Sequence, residues 1–154
     1  MRIRAGIVLI QENKVALIER YRASLHYFIF PGGGVDEGES HEQAAIREAM
    51  EELGIEVSIK QKVADVQLGQ KSRQLYFLVE QVRGEFGTGT GAEFESSNLH
   101  NPQKGIYIPT WMPIEELPQH TNVYPAEVAR LVVKSTKEGW LEESIQVFEE
   151  PKKP

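Results

Sequence analysis

Residues 32–55 read GGGVDEGESHEQAAIREAMEELGI, a glycine-rich turn running into a helix whose last turns are crowded with carboxylates. Ser40 can cap that helix, Gln43 three residues later completes a capping box, and Gly54 takes the C′ place where helices commonly stop. The stretch predicts about four helical turns between these caps. At about 100° per residue, with Glu48 at 0°, Glu51 falls near −60° and Glu52 near +40°. Ile46, Ala49, Met50 and Leu53 then gather on the opposite side, so the carboxylates share one face and the apolar residues another.

A solvated acidic face on an amphipathic helix is the bland reading of such a charge run. Here it carries a cost. Like charges three and four residues apart repel by roughly 0.2–0.5 kcal/mol per pair, and carboxylates in the final turn face the negative end of the helix dipole. No lysine is interleaved to compensate. A bound Mg²⁺ or Mn²⁺ relieves both penalties, because hard cations take carboxylate and carbonyl oxygens and the glycine turn can offer carbonyls. The local conflict therefore points to a divalent-metal site.

Outside this stretch, composition narrows the options. With 154 residues, 40% hydrophobic and 26% charged, the chain fits one globular domain over 1–154. No run of about 18 apolar residues and no signal-peptide pattern is present, so no membrane association is expected and the cytoplasm is the default location. The absence of cysteine removes thiolate nucleophiles and cysteine zinc sites, leaving O and N donors for any metal. A net charge of −6 argues against polymeric nucleic acid as a partner, whereas a small phosphorylated nucleotide can bind through a metal bridge.

On the N-terminal side, 3–10 (IRAGIVLI) and 15–21 (VALIERY) read as a hairpin, with Asn13 suited to the turn. A short strand at 27–30 leads into Pro31 and a sharp turn at Gly32, Gly33 and Gly34. On the C-terminal side, 55–68 alternates loosely and predicts one strand or two short ones. Residues 74–82 (QLYFLVEQV) form a nearly continuous apolar run, the pattern of a central strand buried on both faces. The stretch 84–105 has no periodicity and reads as a long loop, either functional or a plain excursion. Its GTGTGA matches a relaxed dinucleotide fingerprint, but no helix or βαβ unit accompanies it and the match is rejected. Residues 106–111, with Pro109, suit an edge strand, and MPIEEL a helical turn. Pro125 fits the first position of a second helix ending before Gly139, with Val128, Leu131, Val132 and Ser135 on one stripe. The segment 140–148 is unevenly apolar and the tail EEPKKP reads as frayed.

Counted from Gly33, the stretch gives five residues, Glu39, seven residues, Arg47 and Glu48, an aliphatic position, one residue, Glu51 and Glu52, one residue, Gly54 and Ile55. This resembles the Nudix hydrolase box, GX5EX7REUXEEXGU, where U is a bulky aliphatic residue. Every fixed letter is present, and Ala49 alone is smaller than the pattern asks for. The resemblance implies an α/β fold, an α/β/α sandwich around a mixed β-sheet. It also implies hydrolysis of the diphosphate linkage in a nucleoside diphosphate joined to another group, with Mg²⁺ or Mn²⁺ lowering the pKa of the attacking water. By match to the box, Glu48 and Glu52 are the principal metal ligands, Glu51 an additional one and the Gly32 carbonyl a further one. Arg47 and Glu39 form the supporting pair.

The general base is either a box carboxylate, Glu48 or Glu52, or a glutamate of the long loop, Glu93 before Glu95; as a functional loop that segment could also bring His100 to the helix. Arg20, Arg22 and His26 are candidates to meet phosphates, against the plainer reading of surface residues. Tyr27, Phe28 and Phe30 can stack a base, although strand aromatics more often fill a core. A nucleotide-binding sensor that does not hydrolyse its ligand is the rival reading, disfavoured by the intact carboxylate set. Related small domains often pair, so a homodimer is expected.

Overall fold

The computed structural model describes residues 1–89 and 105–149. Strands β1 (Arg2–Gln11) and β2 (Lys14–Arg22) join through Glu12 and Asn13, both at positive φ, as a two-residue hairpin turn requires. They pair only at Ile10 with Val15 and Gln11 with Lys14. Beyond that point they separate. β1 runs parallel to β6 (Ser72–Gly84), while β2 takes β3 (Leu25–Ile29) on one side and β7 (Ile106–Pro113) on the other. The predicted hairpin is thus the place where the mixed sheet splays.

The remaining elements fill in around it. β4 (Gly32–Gly34) lies against β1, and α1 (His41–Leu53) follows. β5 (Ile55–Leu68) is one strand, paired antiparallel to β6, and three register shifts along it account for the loose alternation in its sequence. β6 lies between β1 and β5, the central place its apolar run predicts, and β7 pairs β2 alone, with Pro109 opposite Ile18. A 3₁₀ helix (Ile114–Gln119) and the short β8 (Val123–Tyr124) precede α2 (Ala126–Glu138). Pro125 is the N-cap of α2 rather than its first residue, and Val128, Leu131, Val132 and Ser135 are buried as one stripe. Sequence periodicity gave no sign of β8 or of β9 (Ile145–Glu149), which adds to β5 in parallel. Both are short pairings, of two and five residues.

Two packed layers flank the sheet. Ala44, Ala45, Ala49 and Leu53 of α1 meet Ile7, Leu9, Ile18, Leu75 and Phe77 on one face. Val128, Leu131 and Val132 of α2 meet Val8, Leu17, Phe28, Phe30 and Tyr76 on the other. The α/β architecture matches the expectation, but the rotation of α1 does not. Met50 is 44% exposed, whereas Glu52 is buried at 3%. The three alanines bring the helix close to the sheet along the side adjoining the carboxylates, so Ala49 fits where a larger residue was expected.

Asp65, almost buried on β5, accepts two hydrogen bonds from Arg73, one from Nε at 2.8 Å and one from Nη2 at 2.5 Å. Those bonds hold its carboxyl below the usual carboxylate range, although burial acts the other way. A depressed folded-state pKa means the ionised form stabilises the fold. That contribution is complete above about pH 4 and is lost as pH falls through the lower folded value. Asp65→Asn is expected to lose about 1.5–3 kcal/mol at pH 7. Its urea-melt stability should decline less than that of the wild type between pH 5 and pH 2, and parallel decline in both proteins would exclude this pair as a source of acid sensitivity.

Candidate active site

The site is built where β4 runs beside β1. Gly32, Gly33 and Gly34 pair with Gly6, Ala5 and Arg4, and none has a positive φ, so they form an extended strand rather than the predicted sharp turn. Ile7 N–H donates to the Pro31 carbonyl at 2.9 Å and Val35 N–H to the Ile3 carbonyl at 3.1 Å. With the ladder bonds on the odd-numbered residues, the polar groups of Gly32 and Gly34 turn away from β1. The need for glycine is close approach. A Cβ on Gly33 would stand 2.3 Å from Oε1 of Glu48, and one on Gly32 would stand 2.5 Å from the Ala5 carbonyl.

That outward edge receives the side chains of α1. Gly32 N–H donates to Oε1 of Glu52 at 2.8 Å. The Gly32 carbonyl accepts from Nη2 of Arg4 at 3.1 Å, and the Gly34 carbonyl accepts from Nη2 of Arg47 at 2.9 Å. The helix itself stands where the caps place it: Ser40 Oγ accepts from Gln43 N–H, Gln43 Oε1 accepts from Ser40 N–H, and Gly54 is left-handed at φ 77°.

Arg47 is the hub of the cluster. Its Nε and Nη2 donate to the two oxygens of Glu39 at 2.8 and 3.0 Å, and its Nη1 donates to Glu48 at 3.0 Å and Glu51 at 3.1 Å. With the bond to Gly34, each of its five N–H donors has a partner. These bonds depress the Glu39 pKa to about 2, helped by the backbone N–H of Asp36, and raise that of Arg47. Burial raises the pKa of Glu48 and outweighs the opposing pull of Arg47. The like-charge penalty read from the helix sequence is therefore offset in part within the protein, by an arginine on the same helix.

The oxygens gathered here suit a hard divalent cation, and Glu48, Glu51, Glu52 and the Gly32 carbonyl are the groups that can hold one. Among the described residues, no three acidic or histidine side chains already stand as a metal cage. Glu51 is turned to Arg47 and Glu52 to the Gly32 N–H. The donor chemistry fits a metal, while the carboxylates are engaged by protein donors.

The other sequence candidates divide. Arg20 is only 7% exposed, with its guanidinium 3.6 Å from the Tyr107 ring centroid and 5.7 Å from that of Tyr27. Residues 20 and 27 share a sheet face with Ile18 and Ile29, which pack on the α1 side. Arg22 is exposed at the end of β2. His26 lies on the opposite face, its Nε2 2.6 Å from Glu19 and its ring stacked on Tyr21, so it does not join Arg20 as expected. Phe28 and Phe30 are core residues, and the base-stacking reading fails for them. Glu93, Glu95 and His100 lie outside the described residues.

Sequence reasoning missed Arg4, whose only signal is a charge inside an otherwise apolar run. It also missed the Phe86–Trp111 stack at 4.5 Å and the way residues 87–89 close on the helix end. Gly87 N–H donates to the Leu53 carbonyl at 2.9 Å, and a Cβ on Gly89 would meet the Glu51 and Glu52 carbonyls at 2.5 Å. No periodicity marks such contacts.

Fold and site together define a class. The chain matches the family described as NUDIX domain over residues 1–131, and it belongs to the Nudix hydrolases. It is 30% identical over 148 aligned positions to an RNA pyrophosphohydrolase of Erythrobacter litoralis, covering 84% of this chain and 87% of that one. It is 37% identical over 60 positions to an 8-oxo-dGTP diphosphatase of Proteus vulgaris, covering 38% of this chain and 54% of that one. A Nudix hydrolase structure from Nitrosomonas europaea superposes with a TM-score of 0.75 at 17% identity, covering 97% of this chain and 78% of that one. Nudix hydrolases generally use divalent metal ions. Among the described residues, no helix is long and apolar enough to cross a membrane.

The contact of Glu48 with Gly33 gives a direct test. Gly33→Ala puts a methyl where the carboxylate now rests, and where Glu48 serves the reaction a displacement of about 1 Å is expected to cost on the order of 100-fold in turnover. Turnover close to wild type in a folded Gly33→Ala protein would show that the Glu48 position does not matter.

Proposed function

We propose that this Nudix hydrolase cleaves the diphosphate linkage of a nucleotide, in which a nucleoside diphosphate is joined to a further group, and that Mg²⁺ or Mn²⁺ is required. The observation that carries this reading is the seating of the Glu48 and Glu52 carboxylates on the outward edge of the glycine strand. Glu52 is fixed by the Gly32 N–H and Glu48 lies against Gly33. Glu48, Glu51, Glu52 and the Gly32 carbonyl would hold the metal. Bound there, it would neutralise phosphate charge and make a water more acidic.

The protein's own groups do the remaining work. Arg47 and Glu39 hold the carboxylates of the helix in position through charge-assisted bonds, as supporting residues around a metal site do. Gly32 N–H orients Glu52. Glu48 and Glu52 are the candidates to take a proton from water, together with Glu93 and Glu95 of the 84–105 segment. Arg20, held between Tyr27 and Tyr107 on the α1 side of the sheet, and Arg22 two residues on in the same strand remain the basic candidates to approach a bound nucleotide.

The names of the relatives bring a phosphorylated RNA end and an oxidised nucleoside triphosphate into the set of substrates to assay. Nucleotide sugars and dinucleoside polyphosphates complete it. Purified protein with Mg²⁺ or Mn²⁺ should release products of diphosphate cleavage from at least one of these, and excess chelator should abolish the release. Binding without cleavage across the whole panel would make the protein a nucleotide sensor instead.

Glu52→Gln keeps the acceptor for the Gly32 N–H but removes the charge. It is expected to lose at least about 100-fold in kcat with a melting temperature near that of the wild type. A kcat like that of the wild type would remove Glu52 from the chemistry.

A further inference from the structure

Every N–H donor of Arg47 is already bonded within the protein, so the arginine of the box has none left for a substrate. Glu39, Glu48 and Glu51 surround it, and Glu52 stands on the neighbouring Gly32 N–H, an excess of negative charge at the place where a diphosphate has to bind. Arg4 is different. It reaches from β1 across the glycine strand, and its Nη2 donates to the Gly32 carbonyl at 3.1 Å. Among the described residues it forms no ion pair, unlike Arg47 and Arg73. Nor does it hydrogen-bond another side chain there, which leaves most of its five donors uncommitted.

Its position sets it beside the chemistry. The Gly32 carbonyl that accepts from Arg4 and the Gly32 N–H that donates to Glu52 lie on the same outward edge of β4. The guanidinium and the Glu52 carboxylate are therefore attached to one residue. The contact is not needed to join the strands, because β1 and β4 already pair through their backbones from Arg4–Gly34 to Gly6–Gly32. The ring of Tyr76 lies against Gly6, where a Cβ would meet it at 2.5 Å, and backs the strand beneath Arg4.

We propose that Arg4 is a substrate-binding residue, whose unpaired guanidinium edge at the Gly32 carbonyl takes a non-bridging phosphate oxygen of the diphosphate. This inference rests on the diphosphate-hydrolase reading. A planar guanidinium suits a phosphate through paired N–H donors, and at the residue that also holds Glu52 it supplies positive charge that needs no ion to be loaded. Substrate affinity then depends on two sources of charge, the divalent cation and Arg4. Arg4 is assigned to the phosphate, and because its bond is to the Gly32 carbonyl, itself a candidate metal ligand, metal affinity is read separately from phosphate affinity.

The test compares wild type, Arg4→Lys and Arg4→Gln in three measurements. Calorimetric titration with methylenediphosphonate in Mg²⁺ reads phosphate affinity without turnover. Titration with Mn²⁺ alone reads the metal site. Steady-state kinetics on the best nucleotide substrate separates KM from kcat. For Arg4→Gln the expected result is a Kd for methylenediphosphonate raised roughly 10- to 100-fold, a comparable rise in KM, and Mn²⁺ affinity within about twofold of wild type. Arg4→Lys, which keeps the charge without the paired donors, should fall between.

Equal diphosphonate affinity in wild type and Arg4→Gln would overturn the assignment of Arg4 while leaving the hydrolase reading in place. So would a loss confined to Mn²⁺ affinity or to melting temperature, which would make the Gly32 bond structural only. Failure of the wild type to bind the diphosphonate or cleave any nucleotide would overturn both.

Discussion

One guanidinium holds the acidic helix together. Arg47 bonds Glu39, Glu48 and Glu51 and the Gly34 carbonyl at the same time, and so joins the loop before the helix, the helix itself and the glycine strand. Without it, carboxylates on adjacent turns would repel one another and face the negative end of the helix dipole. Burial alone already pushes Glu48 toward its neutral form. A charged guanidinium shared among three carboxylates keeps them close and, at Glu48, opposes the push of burial, so that their oxygens stay gathered where a hard cation can use them.

That arrangement works only because the partner strand is glycine. An edge strand normally exposes its unpaired N–H and C=O groups to solvent. Here Gly32 and Gly34 present them to Glu52, Arg4 and Arg47, and the lack of a side chain on Gly33 lets the Glu48 carboxylate rest against the backbone. The alanines of α1 do the same from the helix side, with Ala44, Ala45 and Ala49 fully buried against the sheet. Small residues on both elements set the distance at which the charged groups meet.

The legible parts of the molecule were those with local signals. The caps Ser40, Gln43 and Gly54, the turn at Glu12 and Asn13, the central strand around Leu75 and Phe77 and the buried stripe of α2 all follow from nearest-neighbour geometry. The face of α1 was misjudged because an angular plot assigns core to the apolar side, whereas close packing here is made by alanines next to partly buried carboxylates. His26 was grouped with Arg20 by proximity in the chain, but strand alternation sends them to opposite faces of the sheet. β8 and β9 had no pattern to read because two and five residues are too few to show a period.

The sequence by itself determined which groups gather, since the order and spacing of Arg47, Glu48, Glu51 and Glu52 on one capped helix, with Glu39 just before its cap, are covalent facts, and helical geometry turns them into a cluster of oxygens. Only the tertiary structure decided what that cluster rests on. Arg4 lies far from the glycines and the helix along the chain, and nothing in the local sequence specifies which polar groups of β4 point outward. That depends on the register of β4 on β1, a long-range pairing that puts the odd-numbered residues in the ladder and leaves Gly32 free to meet Glu52 and Arg4.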